Sequence, residues 1–552
     1  MDKLLFNEFL NYLSKKNIDF EIIDSKNLKD KIIIKDICID TRKIKKEDNN
    51  FYLDNNYYLT DIFIAIKGEK YDSHKEIKTI SPFFKVIVIE NNDFLEENED
   101  LYSFSFNNNL VIIKSQNTRS FMAYIYKFKF DLIDEKMNIF AFTGTDGKTS
   151  MVNILHLLFS KLFGLSASIG TLGVNINGEK YNFQQTTPTT PEIYDIFYIL
   201  TQLSKIKVSN IFIEATSIAS SQKRLESLSL DSLSFTNMTS DHLDFHTTLE
   251  NYYNSKLSYI NQLSNSEKKN RLLFYNLDDL NYYLIENELK KYKNIMAYNY
   301  GFNQNADFKI SKLGYENRLL VVEIELSNKL LKISNITENK KIISIKTNLI
   351  GRVNAYNIAH SLAYILVLSI INYNSNPSIF YNLLEESREI FSNITIPGRM
   401  ERIEFMGSDI FIDYAHTADS LKNAILSLKE AGYKNVITVM GCGGDRDKSK
   451  RPLMGKSASQ FSTFTIITSD NPRGEEPEDI IKDILKGVIN QNYIVCIDRQ
   501  NAIEKGIDLL KKAEKPTALL IAGKGHEDYQ EIKGVKYHFS DKEVVKSIIN
   551  RF

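Results

Sequence analysis

Six short runs of β-branched and apolar residues, each passing into turn chemistry and then a helical pattern, constrain this chain's fold most. They are Lys85 to Glu90 (KVIVIE), Asn138 to Gly144 (NIFAFTG), Asn210 to Thr216 (NIFIEAT), Asn435 to Gly441 (NVITVMG), Phe464 to Asp470 (FTIITSD) and Ala518 to Gly525 (ALLIAGKG). Runs this short and unbroken read as strands buried on both faces, the state of parallel strands covered by helices. Their alternation with longer amphipathic stretches is α/β architecture. With 552 residues the chain has room for roughly three or four domains. Two strand-loop-helix blocks, around Gly144 and Gly441, indicate two α/β domains behind an N-terminal one. The expected fold is α/β with three domains: an N-terminal α/β domain over residues 1–109, a central P-loop ATPase-like parallel-sheet domain over 110–396, and a C-terminal Rossmann-like domain over 397–552. The second boundary follows the break at Ile396-Pro397-Gly398-Arg399. The polar, aromatic stretch from Glu47 to Asp61 reads as a surface insertion.

Bulk properties exclude several function classes. Lys+Arg total 69 and Asp+Glu 70, a net charge of -1, so no field gathers nucleic acid or a membrane surface. Cys38, Cys442 and Cys496 have no paired spacing, which argues against a disulfide framework or zinc site and fits a reducing cytoplasm. The first twenty residues mix charge with apolar residues at helical spacing and do not read as a signal peptide. No apolar run is expected to approach the ~20 residues that span a bilayer.

The chemistry concentrates in Thr143-Gly144-Thr145-Asp146-Gly147-Lys148-Thr149-Ser150, between an expected strand and an expected helix. Glycines let a backbone wrap phosphates, the N–H groups of a loop and helix start face the anion, and Lys148 adds charge. The Thr149 hydroxyl suits Mg²⁺. The usual ATPase loop has a further glycine where this chain has Phe142. Alone, the loop indicates only that a nucleotide phosphate binds.

The loop resembles the T-G-T-N-G-K-T-S signature of the Mur ligase family and its folylpolyglutamate synthetase relatives, with Asp146 in place of Asn. A carboxylate there opposes phosphate binding slightly. Other matches follow in the family's order. Glu214-Ala215-Thr216-Ser217 is similar to E-V-S-S, with Ile218 where the family has His, and Gln222 and Arg224 match its Q-x-R. Phe235 to His246 is similar to F-T-N-L-x-R-D-H-L-D-Y-H, with Ser240 in place of Arg. The resemblance implies that Glu214, Thr149 and His242 are metal ligands. It implies that Gln185, Thr186, Thr187, Thr216, Gln222 and Arg224 hold a UDP-MurNAc-dipeptide. Tyr252-Tyr253-Asn254-Ser255-Lys256-Leu257 resembles the segment bearing the family's carbamylated lysine (N6-carboxylysine), which makes Lys256 catalytic with Lys148, His242 and Glu214; on sequence alone Lys256 is a solvated helix lysine. His74, His156, His246, His360 and His538 carry no such support and are expected to be structural.

The nucleotide is expected against Gly144, Thr145, Asp146, Gly147, Lys148, Thr149 and Ser150, with Asn354 of Gly351-Arg352-Val353-Asn354 and Asp413 and His416 of Asp413-Tyr414-Ala415-His416 completing the ATP site. Without the resemblance, Asn354 reads as an Asn cap on a helix start. Pro397-Gly398-Arg399-Met400-Glu401 matches the family's P-G-R-x-E. Arg446, in the glycine-rich loop Gly441 to Lys448, would pair with the α-carboxylate of an incoming amino acid. Asp470-Asn471-Pro472-Arg473 is the D-N-P-R associated with diaminopimelate-adding members. Arg473 suits that amino acid's second carboxylate, whereas lysine and ornithine end in an ammonium. Gly523 and Glu527 of Gly523-Lys524-Gly525-His526-Glu527 would meet the distal ammonium, which all three amino acids share, so Glu527 does not separate them.

Near the N-terminus, Asp40-Thr41-Arg42 resembles a D-S-R, Phe63 to Gly68 an L-F-V-A-x-x-G, and Asp72 and His74 a D-G-H segment. The first domain is therefore expected to hold the UDP end through Thr41 and Arg42. The resemblance implies a monomeric cytoplasmic enzyme that uses ATP and Mg²⁺ to add a third amino acid to the dipeptide precursor through an acyl phosphate. Lysine- or ornithine-adding activity, and a degenerate nucleotide-binding partner subunit (suggested by Asp146, Ile218 and Ser240), remain alternatives.

Overall fold

The structure, a computed structural model, describes residues 4–34, 37–39, 44–47, 50–53, 61–68, 71–91, 93–95, 99–183, 187 and 189–551. Three sheets carry the chain. The first contains β1 (Phe20–Ile23), β2 (Ile37–Cys38), β3 (Ile62–Ile64), β4 (Val86–Ile89) and β5 (Val111–Ser115), in the order β1-β5-β4-β3-β2. β5 pairs with β4 in parallel and with β1 antiparallel. The chain therefore leaves this sheet after Ser115. Asn109, where the boundary was expected, is instead the left-handed residue that ends helix Leu101–Asn108. The described parts of the Glu47 to Asp61 region contribute to a hairpin of Ile44–Glu47 with Asn50–Leu53.

The central sheet has eleven strands: β6 (Asn138–Thr143), β7 (Ser166–Gly170), β8 (Gly173–Ile176), β9 (Glu179–Tyr181), β10 (Asn210–Glu214), β11 (Ser232–Phe235), β12 (Leu272–Asn276), β13 (Met296–Gly301), β14 (Phe308–Glu316), β15 (Leu319–Leu326) and β16 (Ile342–Thr347). Their order is β9-β8-β7-β10-β6-β11-β12-β13-β14-β15-β16. The stretch from β7 to β14 is parallel, and antiparallel strands extend it at both edges. Burial follows from this layout. β10, β11 and β12 are buried at every residue, while β15 and β16 bury alternate residues and leave the other face wet.

Alternate residues of β6 feed two cores. Ile139 and Ala141 join a core continuous with Ile62, Val86 and Val111 of the first sheet. Phe140 and Phe142 join the opposite core, beneath α3 (Arg352–Asn372). α3 corrects the expectation that no apolar segment is long enough to cross a bilayer. It has 21 residues and passes on length and composition, yet 78% of its apolar window is buried inside the protein. His360 on α3 is fully buried against Ser234, and burial holds its pKa down at about 3, so it is a neutral core histidine as expected.

The third sheet contains β17 (Glu401–Phe405), β18 (Ser408–Asp413), β19 (Asn435–Met440), β20 (Phe464–Ile467), β21 (Tyr493–Val495) and β22 (Thr517–Ala522), in the order β17-β18-β22-β19-β20-β21. It is parallel except for β17. The central sheet reaches it through the two-residue turn between β14 and β15. Asn317 and Arg318 both have positive φ (50° and 65°), as a tight hairpin turn of this hand requires. Arginine is an uncommon occupant of that backbone region. Its side chain spans to the third sheet, where Nη1 donates to Asp409 Oδ2 at 2.6 Å. Asp409 is 1% exposed and also accepts from Tyr433 Oη (2.5 Å) and Arg402 Nε (2.9 Å).

Replacing Asp409 with Asn keeps the shape and removes the charge that Arg318 and Arg402 both face. It should cost about 3 kcal/mol or more, the usual loss when one partner of a buried ion pair is removed. A denaturant midpoint should fall accordingly, and Arg318→Ala, which leaves Asp409 paired to Arg402, should cost less.

Candidate active site

β6 lies between β10 and β11, so Thr143, Glu214 and Phe235 end side by side at one edge of the sheet. The loop leaving β6 turns at Gly144, φ +148°. A Cβ there would sit 1.9 Å from Thr236 Oγ1, so only glycine fits. Thr236 Oγ1 donates to the Asp146 carbonyl (2.5 Å), and Asn237 Oδ1 accepts the N–H groups of both Thr145 and Asp146 (2.9 Å each). The loop is thus held in shape by the segment after β11. It runs into α1 (Lys148–Leu162), whose 15 residues aim an N-terminal positive dipole into the loop. Lys148 Nζ lies across the loop on the carbonyls of Gly144 (2.8 Å) and Thr145 (2.9 Å), and burial lowers its pKa. The Asp146 side chain points outward and is exposed.

At the second residue of α1, Thr149 Oγ1 donates to Glu214 Oε2 at 3.0 Å. Glu214 is 1% exposed and also accepts from the Thr171 N–H (2.7 Å) and Thr171 Oγ1 (3.2 Å). Burial pushes its carboxyl pKa up, against the pull of the Lys148 charge. Among the described residues no three His, Cys, Asp or Glu side chains gather as a metal cage. A carboxylate and a hydroxyl beside a phosphate loop are nevertheless the donor set Mg²⁺ uses when phosphate oxygens and water complete its shell. His242 lies on the segment after β11. It sits in the left-handed region at the start of helix Leu243–His246, exposed, with Nε2 3.5 Å from Asp241 Oδ2.

Lys256 also departs from its reading as a lone sequence residue. It lies on α2 (Leu249–Ser264) and is 1% exposed. Its Nζ donates to Tyr252 Oη at 2.6 Å, one helical turn away, and to Thr145 Oγ1 at 3.3 Å. Tyr252 Oη and Thr145 Oγ1 share a further hydrogen bond at 2.9 Å. Burial, together with the nearby Lys148 charge, holds the Lys256 pKa well below its ordinary value. Such an amine is a nucleophile in its neutral form.

Beyond Glu214 the chain builds a polar nest. Thr190 Oγ1 donates to the Glu214 carbonyl (2.8 Å) and meets Thr216 Oγ1 at 3.1 Å, and Thr187 Oγ1 donates to the Thr190 carbonyl (3.0 Å). Arg224, 8% exposed, donates to the same carbonyl (3.0 Å) and to Gln222 Oε1 (2.5 Å), and pairs with Glu192 at 3.1 Å. Thr187, Thr216, Gln222 and Arg224 therefore lie together. Thr41, Arg42, Gln185 and Thr186 lie outside the described residues.

Asn354 is the third residue of α3 rather than its cap. Its Nδ2 donates to the Ile350 carbonyl (2.7 Å), and its Oδ1 accepts from Asn357 (2.9 Å). Asp413 ends β18 and accepts the N–H groups of Met400 (2.8 Å) and Ala415 (2.9 Å); burial raises its pKa. His416 is exposed and bonded to the Tyr414 carbonyl at 2.9 Å. Gly398, φ +65°, packs so closely on the loop after β22 that a Cβ would lie 2.2 Å from His526 N.

That loop carries Gly523 to Glu527. Glu527 Oε2 accepts from Asn471 Nδ2 (2.8 Å) and pairs with the fully buried Lys524 (3.2 Å). Neither Asn471 nor Lys524 signals this pairing in sequence. The Asp470 to Arg473 loop is zipped to a hairpin of β23 (Tyr529–Ile532) and β24 (Val535–His538). Asn471 Oδ1 accepts Glu531 N–H (3.0 Å), and Arg473 N–H donates to the Glu531 carbonyl (2.9 Å). Arg473 Nη1 donates to the Gly444 carbonyl at 2.8 Å, while Arg446 is exposed on the same glycine-rich loop. A cavity of about 1280 Å³ joins the two lobes, lined by Gly170, Thr171 and Thr189 on one side and Tyr414, His526 and Glu527 on the other.

Two family models match the chain: the Mur ligase middle domain over residues 142–365, and the Mur ligase, glutamate ligase domain over residues 398–525. The chain is 33% identical over 538 residues to UDP-N-acetylmuramoyl-L-alanyl-D-glutamate--2,6-diaminopimelate ligase 2 of Clostridium acetobutylicum, covering 97% of this chain and 98% of the relative. The corresponding ligase of Clostridium tetani is 33% identical over 538 residues, with 97% and 98% covered. A solved structure of a UDP-N-acetylmuramoyl-L-alanyl-D-glutamate--2,6-diaminopimelate ligase superposes with a TM-score of 0.65 at 24% identity, covering 100% of this chain and 99% of that one.

Asn237 holds two N–H groups of the phosphate loop, so Asn237→Ala should weaken ADP binding by roughly tenfold, the value of one or two lost hydrogen bonds. Calorimetric titration with ADP measures this, with an unchanged melting temperature as the control for folding.

Proposed function

The chain belongs to the Mur ligase family, and on that footing we propose that it is the ATP-dependent ligase that joins meso-2,6-diaminopimelate to UDP-N-acetylmuramoyl-L-alanyl-D-glutamate in peptidoglycan synthesis. The observation that carries the choice of amino acid is the setting of Arg473, fixed by its backbone to β23 and by Nη1 to Gly444, in the lobe that presents Glu527 to the interlobe cavity. A guanidinium and a carboxylate in one lobe suit the distal carboxylate and ammonium of diaminopimelate.

In this reading the domain of the first sheet holds the UDP end, that of the central sheet the ATP and dipeptide, and that of the third sheet the incoming amino acid. Thr41, Arg42, Gln185, Thr186, Thr187, Thr216, Gln222 and Arg224 belong to the nucleotide-sugar peptide. Asn354, Asp413 and His416 complete the ATP site, and Arg446, Asp470, Asn471 and Gly523 complete the amino-acid site. The enzyme acts as a cytoplasmic monomer on small molecules.

A peptide carboxylate acylates poorly because oxide would have to leave. Its oxygen attacks the ATP γ-phosphorus, the bond to the β-phosphate oxygen breaks, and ADP departs from an acyl phosphate. The neutral α-amine of the amino acid then attacks the acyl carbon, and phosphate and a proton leave as the amide forms. Lys148 and the N–H groups of the loop stabilise charge on the transferred phosphoryl group. Thr149 and Glu214 would hold Mg²⁺ and His242 a second ion, which would supply further neutralisation of the phosphates. Approach of the third lobe brings the amine to the acyl phosphate and excludes water.

Lys256 fits carbamate formation: its buried, neutral amine attacks the carbon of CO₂, and loss of a proton leaves an anionic carbamate. Protein equilibrated with ¹³C-bicarbonate should show a carbamate carbon resonance that is missing in Lys256→Ala, and that variant should stay folded and lose most ligase activity. Wild-type turnover in the variant would remove Lys256 from the mechanism.

The substrate assignment is tested with meso-diaminopimelate, L-lysine and L-ornithine as acceptors, following phosphate release dependent on the UDP-MurNAc-dipeptide. Diaminopimelate should be preferred, and Arg473→Ala should lower kcat/KM for it by roughly ten- to a hundredfold, as expected when hydrogen bonds to a charged group are lost. Ligation of lysine or ornithine alone would overturn the assignment. No phosphate release with any of the three acceptors would favour a degenerate nucleotide-binding subunit.

A further inference from the structure

The Arg473 guanidinium already faces a carboxylate of its own chain. Glu531, on β23, places Oε2 3.4 Å from Arg473 Nε, with 26% of the Glu531 side chain and 19% of the Arg473 side chain exposed. A guanidinium has two edges that grip a carboxylate with paired N–H donors, and both use an Nη group. Here Nε faces Glu531 and Nη1 donates to the Gly444 carbonyl (2.8 Å). Among the described residues, Nη2 has no hydrogen-bond partner. Each gripping edge has therefore given up one of its two donors. Glu531 is also fixed in place independently of its side chain, because its N–H donates to Asn471 Oδ1 (3.0 Å) and its carbonyl accepts from Arg473 N–H (2.9 Å).

We propose that Glu531 is a positioning residue that acts through Arg473 and sets how strictly the site selects acceptors bearing a second carboxylate. The inference rests on the reading of Arg473 as the group that meets the distal end of the amino acid. Two effects work in one direction. Glu531 offsets the Arg473 charge and competes for its Nε edge, and it repels a second carboxylate brought alongside. An acceptor ending in ammonium alone meets an arginine that is already half neutralised, and so is rejected less. The chain thereby moderates its own discrimination between a dicarboxylic diamine and a simple cationic amino acid. Another ion pair of the lobe, Lys524 with Glu527 at 3.2 Å, lies on the loop after β22 and does not involve the Glu531 side chain.

The test is Glu531→Gln, which keeps the size and both backbone hydrogen bonds and removes the charge, with Glu531→Asp as the charge-retaining control. In full-length enzyme, Glu531→Gln should lower the KM for meso-diaminopimelate and raise that for L-lysine, each by roughly two- to fivefold, the range a half-exposed ion pair supplies. The change should fall on KM rather than kcat, and Glu531→Asp should behave like the parent. A merely structural role would raise both KM values together; that result, or no change in either, overturns the inference. Affinities for both amino acids are measured by calorimetry in parallel. If the parent ligates neither, the proposed activity fails; opposite shifts in affinity would still support the role of Glu531, and equal shifts would overturn it.

Discussion

The site depends on the contact between two neighbouring strand ends. β6 and β11 run side by side, and Gly144, which ends the first, passes against Thr236 and Asn237, which follow the second. Because the loop has no side chain at that point, its backbone comes close enough for Asn237 to take two of its N–H groups and Thr236 one of its carbonyls. The loop is therefore shaped before any phosphate arrives, and the cost of ordering it does not fall on binding. Thr149 then lands beside Glu214, because β10 flanks β6 on the other side.

Around this contact three ionisable groups share a poorly hydrated space. Burial pushes Lys148 and Lys256 down and Glu214 up, so each drifts toward its neutral form. Lys148 and Glu214 attract, which limits the drift of both, whereas Lys148 and Lys256 repel. The asymmetry separates two lysines on neighbouring helices. Lys148 feels the Glu214 charge most and suits the holding of anions, while the Lys256 amine hydrogen-bonds to hydroxyls and suits nucleophilic chemistry.

Much of this was legible in the sequence, and the parts that were not have definite causes. The strands at Asn138, Asn210, Asn435 and Ala518 appear as unbroken apolar runs because both faces are covered. The alternating pattern of β15 and β16 belongs to the sheet's half-wet edge, and nothing in it says which sheet it extends. The strand at Val111 was not read from the sequence, and its partner β1 lies some ninety residues earlier in the chain. Lys256 looked solvated because helical spacing does not reveal that Tyr252 and the phosphate loop close over its amine. Thr171, Asn237 and Lys524 went unremarked as site residues, since each acts through a hydrogen bond to a group far away in sequence. The branch-defining loop at Asp470 was visible from its letters, but Glu531 beside it was not, because only the pairing of β23 with that loop brings them together.

The arginine at the tip of the β14–β15 turn has a consequence for movement. Arg318 ties one corner of the central sheet to Asp409 on the third, while the cavity opens between other parts of the same two lobes. A body fastened at a corner swings more readily than it slides. The distance travelled by Glu527 or Arg473 in such a swing grows with its separation from the pin, so a few degrees at Arg318 become a stroke at the far lip. The left-handed backbone of that residue thus belongs to a join between the lobes and not to the lining of the cavity.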